Sequence, residues 1–279
     1  MCTSTRVPIR DNLTYMTNDS TVTVPDNQQI AQEEEYGFPY HYVPTWDGRH
    51  FSQTKTFEWG CEYLSYLHFL LDHVQRLAFQ SLLDVGCGDG RFLCELSRRV
   101  GGKKLAGLDY SRRAIDFAKI MTARVELRCG DIRNSDTFAA PFDVITLIET
   151  LEHIPPPEVP GFLGGIHRCL ADQGTFILTV PSNNVAVLPK HYQHFGLRSL
   201  TEALEPWFEI SQVYYLNRAT SGWWRFFRKV LINRLFLLNN RTLLRWIYRY
   251  YMAHCLHANE KNCRRLAAVC RKRRAPPPA

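Results

Sequence analysis

The first half of this chain carries acidic residues at the ends of short apolar segments, a placement that suits ligand binding. Asp84 lies near the end of the first such segment and is followed by Gly86, Gly88 and Gly90. Glycines at this spacing let the backbone turn sharply and lie directly against a ligand. The apolar residues after Gly90 recur at helical spacing, so the turn leads into a helix whose N-terminal amides face the ligand. The segment therefore predicts a turn that binds a small polar molecule through its backbone.

Three later apolar segments also end in carboxylates, at Asp109, Asp131 and Glu149. Each segment has the composition of a buried parallel strand, and open α/β sheets bring the carboxyl ends of such strands to one edge, where ligands bind. Asp109 lies nineteen residues after Gly90, which is the spacing at which an acidic residue reaches ribose hydroxyl groups. An ordinary helix cap explains any one of these acids, but their order along the chain predicts a shared site.

The string D-x-G-x-G-x-G from Asp84 to Gly90, with the acids that follow it, resembles the motifs of class I S-adenosylmethionine-dependent methyltransferases. A dinucleotide-binding fingerprint would place its third glycine three residues after the second, whereas here the interval is two. The resemblance covers about residues 80–216 and implies S-adenosylmethionine as the cofactor. The cofactor-binding residues that it implies are Asp84, Gly86, Cys87, Gly88, Gly90, Asp109, Tyr110, Asp131, Ile132 and Glu149.

The resemblance also implies roles for these residues. The glycine turn would contact the amino-acid portion of the cofactor, and Asp84 would bind its ammonium group or the amides of the turn. Asp109 would bind the ribose hydroxyl groups. Asp131, together with Ile132, would bind the adenine.

His153 is the candidate catalytic residue. It closes the string E-T-L-E-H after the fourth predicted strand, and an imidazole can take up a proton near neutral pH. The resemblance places this position on the sulfonium side of the pocket, which implies a general base for an oxygen acceptor. A histidine that only caps a helix is the structural alternative. His191 and His194 follow the fifth strand, and we interpret them as residues that position the acceptor or simply hold their loop.

The same string admits a metal hypothesis. Glu149, Glu152 and His153 resemble divalent-metal ligands of ubiquinone-pathway O-methyltransferases and of small-RNA 3′-end methyltransferases, and such a donor set suits Mg²⁺, Mn²⁺ or Zn²⁺. Metal-independent relatives carry similar strings. The prediction therefore assigns no metal ligand and keeps a divalent metal as the alternative that is not favoured.

Alternating strand and helix patterns predict an α/β fold, namely a Rossmann-like seven-stranded, mostly parallel sheet with helices on both faces. A helical basic insertion would precede the last strand, and it would lie at the carboxyl edge because the sixth strand runs parallel to its neighbours. The predicted division of the chain is a disordered segment at 1–40, a helical cap at 41–80, a methyltransferase core at 81–216, the insertion at 217–263, and the last strand with a basic tail at 264–279.

Charge is concentrated in the predicted insertion, where residues 217–263 contain nine basic residues and one acidic residue. Two basic amphipathic helices, rich in tryptophan and phenylalanine, are predicted there and are joined at Asn239 and Asn240. Three interpretations stay open for them: an ordinary helical cap, a docking surface for a lipid-linked or anionic substrate at a membrane, and a nucleic-acid surface.

The composition of the chain indicates the cellular compartment in which the protein is expected. No uncharged apolar run approaches the roughly 18–20 residues that span a bilayer, and no secretory signal is predicted. Nine cysteines without a C-x-x-C pair predict reduced thiols. We therefore expect a cytoplasmic protein that contacts membranes, where it does so, only peripherally.

These observations favour an S-adenosylmethionine-dependent methyltransferase that acts on an oxygen of a small-molecule, sugar or lipid-linked acceptor. An RNA methyltransferase is the alternative, because of the basic residues and the E-x-x-E-H string. A non-catalytic module with the same fold is a third hypothesis, which the complete set of cofactor residues argues against.

Overall fold

A computed structural model describes most of the chain from the first helix to the last strand. The described residues are 27–35, 45–46, 51–52, 55–122, 124–134, 138, 140–218, 222–231 and 240–274. The first helix, α1 (Asn27–Glu35), comprises nine residues of the segment predicted to be disordered. The physical reason is local, because glutamine, alanine and glutamate are strong helix formers even where few apolar side chains are present. The rest of that predicted segment lies outside the described residues.

A pair of short strands and a long helix lie between α1 and the main sheet. The short strands β1 (Thr45–Trp46) and β2 (Phe51–Ser52) pair with each other in antiparallel fashion. They are followed by the long helix α2 (Lys55–Val74), which corresponds to the helix predicted ahead of the first core strand. Its apolar side chains recur every three or four residues, and Leu67, Leu70, Leu71 and Val74 are fully buried. The helix therefore packs against one face of the sheet rather than standing apart from it.

Seven strands form the main sheet, in the order β5-β4-β3-β6-β7-β9-β8. The strands β3, β4, β5, β6 and β7 pair in parallel, and β9 runs antiparallel to both of its neighbours. This confirms the predicted Rossmann-like, mostly parallel seven-stranded sheet. The strands are β3 (Ser81–Val85), β4 (Lys104–Asp109), β5 (Glu126–Cys129), β6 (Phe142–Ile148), β7 (Leu170–Pro181), β8 (Phe208–Arg218) and β9 (Cys263–Lys272).

Helices cover both faces of the sheet, as predicted. One apolar cluster joins the sheet to α2 and α3 (Arg91–Ser97). A second cluster, on the other face, joins it to α5 (Val159–Cys169) and α6 (Leu197–Leu204). Between β4 and β5 lies α4 (Arg112–Met121), which begins where the Ser111 side chain accepts a hydrogen bond from the amide of Ala114. The central strands β3, β4 and β6 are buried on both faces, which explains why their sequences are nearly continuous apolar runs.

The insertion follows β8, which runs in the same direction as β7 because both are antiparallel to β9. The prediction that the sixth strand runs parallel to its neighbours is wrong, because β8 is an edge strand whose partner in the sheet is the antiparallel β9. The insertion contains α7 (Gly222–Leu231) and α8 (Arg241–His254), and the side chain of Asn240 caps α8 by accepting from the amide of Leu243 at 3.0 Å.

The insertion helices pack on α2. Trp224, Ile247, Tyr251 and Cys255 form a buried cluster with Cys61 of that helix. None of the helices in the described ranges combines the length and apolarity that a membrane-spanning segment requires. The exact domain boundaries stay a prediction.

Candidate active site

The glycine turn between β3 and α3 is built as the sequence pattern predicts. Gly86, Gly88 and Gly90 all have positive φ angles, of 69°, 53° and 74°. A Cβ atom on Gly86 would lie 2.3 Å from Oγ1 of Thr150, so a side chain is excluded both by conformation and by space. This close approach also brings the turn against the segment that follows β6, where Glu149 and His153 lie.

Asp84 lies beneath the turn and is almost completely buried. Its Oδ1 accepts a hydrogen bond from Oγ1 of Thr146 at 2.6 Å, because β3 and β6 pair these two residues directly. Burial raises the pKa of the Asp84 carboxyl from 3.8 to about 7, with the Thr146 hydroxyl opposing this shift and the charge of Asp109 adding to it. A carboxyl group in this state ionises readily once a cation comes close.

The amides of the turn are held by β4 and not by Asp84. The amides of Gly86 and Cys87 donate to the carbonyl oxygen of Leu108 at 2.7 and 3.0 Å, and the amide of Gly88 donates to Oδ2 of Asp109 at 2.8 Å. The role of Asp84 in cofactor binding stays a prediction, and none of these three amides donates to its side chain. The reason is geometric, because the side chain of Asp84 points across the sheet to Thr146.

Asp109 ends β4 and connects two elements of the site. Its Oδ2 accepts from the Gly88 amide, and its Oδ1 accepts from the amide of Ser111 at 2.9 Å. The carboxylate thus braces both the glycine turn and the start of α4. Each carboxylate oxygen carries two lone pairs, so these bonds are compatible with the ribose contact that the sequence predicts. Tyr110 follows with 45 % of its surface exposed, at the same edge of the sheet.

Asp131 follows β5 by two residues and is held by a local ion pair. Its Oδ1 accepts from the amide of Arg133 at 2.8 Å, and its Oδ2 accepts from Nη2 of the same residue at 2.6 Å. Arg133 in turn contacts Glu158 at 2.6 Å. Ile132 is fully buried in the core, so only its backbone can face an adenine. The structure therefore puts both residues at the predicted edge.

The side chain of Cys87 belongs to the core. It is 7 % exposed and packs among apolar residues under the turn, and burial raises the pKa of its thiol well above the usual value. A ligand in the turn would meet the backbone of Cys87 and not its sulfur atom.

Glu149 is held by an arginine that sequence reasoning did not identify. Glu149 has a φ angle of 51°, and its Oε2 lies 2.8 Å from Nη2 of Arg265, the third residue of β9. Arg265 also contacts Oε1 of Glu62 at 3.2 Å and lies 4.0 Å from the ring centroid of Tyr66. Although burial opposes its charge, Glu149 and its other neighbours hold the pKa of Arg265 above the usual value.

A short buried network extends from Arg265 to the insertion. Nη1 of Arg265 donates to Oδ1 of Asn217 at 2.9 Å, and Nδ2 of Asn217 donates to the hydroxyl of Tyr251 on α8 at 3.0 Å. The only sequence signal for this network was a pair of arginines at the start of an apolar strand. Nothing local identifies their partners.

His153 lies in a single 3₁₀ turn that follows β6. Its Nδ1 is 3.0 Å from the carbonyl oxygen of Lys190. A carbonyl oxygen can only accept, so Nδ1 donates and the neutral ring carries its lone pair on Nε2. The side chain is 16 % exposed. The orientation is therefore set by the loop that follows β7.

His191 lies against His153 and His194 lies against His191, so the structure brings all three predicted histidines together. Nδ1 of His194 is 3.0 Å from the carbonyl oxygen of Val185, and Nε2 of His194 is 2.8 Å from Nδ1 of His191. His194 must donate to the carbonyl, so His191 donates to His194 and directs its Nε2 lone pair elsewhere. The rings of His191 and His153 meet edge to face at 4.7 Å. Burial lowers the pKa of His191 to about 3, so its ring is neutral at physiological pH.

Glu152, His153 and His191 form a cluster that we call the Glu–His–His cluster. One donor atom from each residue lies within 4.8 Å of the others. Glu152 is 1 % exposed, and no donor within the described residues reaches its Oε2. Burial, reinforced by the charge of Glu149, raises the pKa of the Glu152 carboxyl well above its usual value.

The donor chemistry of this cluster fits a divalent cation such as Zn²⁺ or Mn²⁺. The three members of the cluster would hold it, and a bound cation would act as a Lewis acid toward an acceptor oxygen. Glu149, the first carboxylate of the set that the sequence suggested, is instead paired with Arg265.

The fold and this site define the class of protein. The sequence profile of the methyltransferase-domain family matches residues 59–250, which is more than half of the chain, and the chain belongs to this family. The predicted class, an S-adenosylmethionine-dependent methyltransferase of class I, is thereby confirmed.

Two curated relatives each match about a third of the chain. The ubiquinone biosynthesis O-methyltransferase of Nitrosococcus oceani is 36 % identical over 96 residues, and that of Idiomarina loihiensis is 31 % identical over 97 residues. Each match covers 33 % of this chain and 39 % of the relative. The chain thus aligns with well under half the length of these relatives.

The fold is also similar to that of solved structures. One is the N-methyltransferase NodS of Bradyrhizobium japonicum, determined in complex with S-adenosyl-L-homocysteine. It is 15 % identical, with a TM-score of 0.56 over 88 % of this chain and 99 % of that chain. At this identity the similarity shows the fold alone.

Proposed function

We propose that this chain transfers a methyl group from S-adenosylmethionine to a hydroxyl oxygen of a small-molecule acceptor. The observation that carries the proposal is the glycine turn with its three positive φ angles, which lies against the segment after β6 that contains His153. A cofactor bound in the turn would direct its sulfonium toward that segment. The names of the two curated relatives support an oxygen acceptor and a small molecule.

The cofactor site that we propose follows the carboxyl edge of the sheet. The turn from Gly86 to Gly90 binds the amino-acid portion through its backbone, and Cys87 contributes only its backbone. Asp84 attracts the ammonium group, since a cation stabilises the ionised form of a buried carboxyl. In this proposal, Asp109 binds the ribose, and Asp131 binds the adenine together with the backbone of Ile132. Tyr110 and Glu149 lie at the edge of the pocket.

His153 acts as the general base in this proposal. The acceptor oxygen attacks the methyl carbon, a carbon–oxygen bond forms, and the carbon–sulfur bond breaks to leave neutral S-adenosyl-L-homocysteine. The hydroxyl proton passes to Nε2 of His153, which carries the lone pair because Nδ1 donates to Lys190. His191 and His194 position this ring, since they hold it at a fixed angle in a largely buried environment.

We also propose that the acceptor is lipid-linked or otherwise presented at a membrane surface, with a cytoplasmic location for the protein. The support comes from the basic, aromatic helices α7 and α8, which pack on α2 and are linked to Glu149 through Arg265. Small soluble acceptors satisfy the same catalytic arrangement, so this part of the proposal concerns only the source of the acceptor.

A His153→Gln variant tests the catalytic proposal, with His254→Gln as a matched control on the exposed side of α8. We expect calorimetric affinity for S-adenosylmethionine to be unchanged in both. Transfer of tritiated methyl groups into fractionated cell extract should fall by about 10²–10⁴-fold in the first variant only. Equal transfer by both variants would reject His153 as the base, and absence of cofactor binding by the unmodified protein would reject the whole proposal.

A further inference from the structure

The two helices of the insertion expose an unusual concentration of large apolar side chains. Nine such side chains are exposed in the described part of the chain, and five of them lie on α7 and α8. Trp223, Phe226 and Trp246 are 65, 53 and 55 % exposed, and Val230 and Leu243 are each 41 % exposed. Isolated exposed apolar residues are ordinary, but a concentration of them marks an interaction surface. We call these five residues the aromatic face.

The aromatic face is continuous across both helices. The rings of Trp223 and Phe226 meet at 6.0 Å, those of Phe226 and Phe227 at 6.0 Å, and those of Phe227 and Trp246 at 5.8 Å. The opposite sides of the helices are fixed by buried contacts, since Trp224 packs on Tyr251 with a ring separation of 4.6 Å. The exposure of the aromatic face is therefore a consequence of how the helices are anchored.

Exposed basic side chains lie on the same two helices as the aromatic face. Residues 218–259 include no acidic residue. The exposed cations on the two helices are Arg225, Arg228, Lys229, Arg241, Arg245 and Arg249. A surface with this sign of charge attracts anions. Transfer of its apolar side chains out of water is favourable.

We propose that α7 and α8 dock the protein on a bilayer that contains anionic lipids. The aromatic face enters the boundary between headgroups and acyl chains, where tryptophan and phenylalanine are favoured, while the arginines contact the anionic headgroups. Nucleic acid fits this surface less well. Phosphates would engage the arginines and bases would stack on the rings, but exposed Val230 and Leu243 would gain nothing from either contact.

A chain of buried contacts connects the docking surface to the catalytic site. Tyr251 on α8 is joined to Asn217, Asn217 to Arg265, and Arg265 to Glu149 at the pocket edge. This buried chain of contacts fixes the docked helices relative to the pocket. The inference rests on the proposed function only for the nature of the acceptor, because binding to vesicles requires no methyl transfer.

Vesicle co-sedimentation of the full chain tests the inference. The vesicles are phosphatidylcholine alone, or phosphatidylcholine with about one third phosphatidylglycerol. The test variant is Trp223→Ala/Phe226→Ala/Trp246→Ala, and the matched control is Ile120→Ala, which removes an 83 % exposed apolar side chain from α4. We expect the unmodified protein and the control to bind the anionic vesicles, and the triple variant to bind at least about tenfold more weakly.

A second variant, Arg225→Glu/Arg245→Glu, keeps the test decisive if the triple variant fails to fold, as judged by its thermal transition. It should lose binding to anionic vesicles while its calorimetric affinity for S-adenosylmethionine is unchanged. Equal binding by a folded variant and the control overturns the inference, as does stronger binding to single-stranded RNA than to anionic vesicles. Loss of cofactor binding by the unmodified protein would instead count against the proposed function, so the two failures are distinguishable.

Discussion

Replacing Asp84 with asparagine should make the stability of the protein less dependent on pH. In the folded protein, burial raises the pKa of this carboxyl from 3.8 to about 7. A folded-state pKa above the unfolded value means that the folded protein holds a proton more tightly than the unfolded chain does. The corresponding stability is fully present below about pH 4 and is lost as the pH rises through about 7.

The size of the effect follows from the same two pKa values. An interval from 3.8 to about 7 corresponds to roughly 4 kcal/mol at about 1.4 kcal/mol per pKa unit, as an order-of-magnitude figure. Asparagine does not ionise, and its amide oxygen can still accept from Thr146. Any constant cost of burying the amide nitrogen is the same at each pH. The free energy of unfolding of the variant, minus that of the unmodified protein, should therefore rise by up to about 4 kcal/mol between pH 4 and pH 8.

Urea unfolding of both proteins at several pH values, without cofactor, measures this difference. The burial argument predicts a difference that grows steadily through neutral pH. A difference that stays constant across this range would refute it, because Asp84 would then have the same pKa in both states. Calorimetry supplies an independent check: the affinity of the unmodified protein for S-adenosylmethionine should fall as the pH drops below about 7, whereas the weaker affinity of the variant should not.

Three further perturbations test other parts of the site. Gly86→Ala should abolish cofactor binding because its Cβ would lie 2.3 Å from Thr150. The control Gly60→Ala, whose Cβ would meet nothing within 4 Å, should stabilise α2 by about 1 kcal/mol. Similar calorimetric titrations of the two variants with S-adenosylmethionine would contradict the steric argument. Arg265→Met should lower the free energy of unfolding by about 3–5 kcal/mol, since it removes the ion-pair partner of Glu149, and an unchanged urea midpoint would show that the pair contributes little. Treatment with EDTA should leave methyl transfer intact, because the proposed base needs no metal; a loss of activity restored by Mn²⁺ or Zn²⁺ would assign the Glu–His–His cluster as a metal site.

The parts of the site that depend on local chain geometry were predictable. Gly86, Gly88 and Gly90 can adopt positive φ angles without a steric cost, and the apolar run before them favours a buried strand. The placement of Asp109 and Glu149 at one edge follows from the alternation of strands and helices, since parallel strands share their direction. At α1, nine residues of high helix propensity form a helix within a segment whose polar composition suggested disorder.

Contacts between distant segments were not predictable from a single sequence. Arg265 pairs with Glu149 across 116 positions of the chain, and the ring of His191 meets that of His153 only because the loop after β7 turns back. That the Gly88 amide donates to Asp109 and not to Asp84 depended on which neighbouring strand each side chain faces. Burial shifts the pKa values of Asp84 and His191, and burial is a property of the packed molecule.

The sequence by itself determined the fold class, the position of the cofactor turn and the basic character of the insertion, because strand and helix periodicity, glycine conformation and charge are properties of neighbouring residues. Tertiary structure alone decided which carboxylates are paired, which histidine ring nitrogens donate, and that the aromatic face of the insertion is turned to solvent. Those features depend on contacts between residues far apart in the chain, and such contacts exist only once the sheet has assembled.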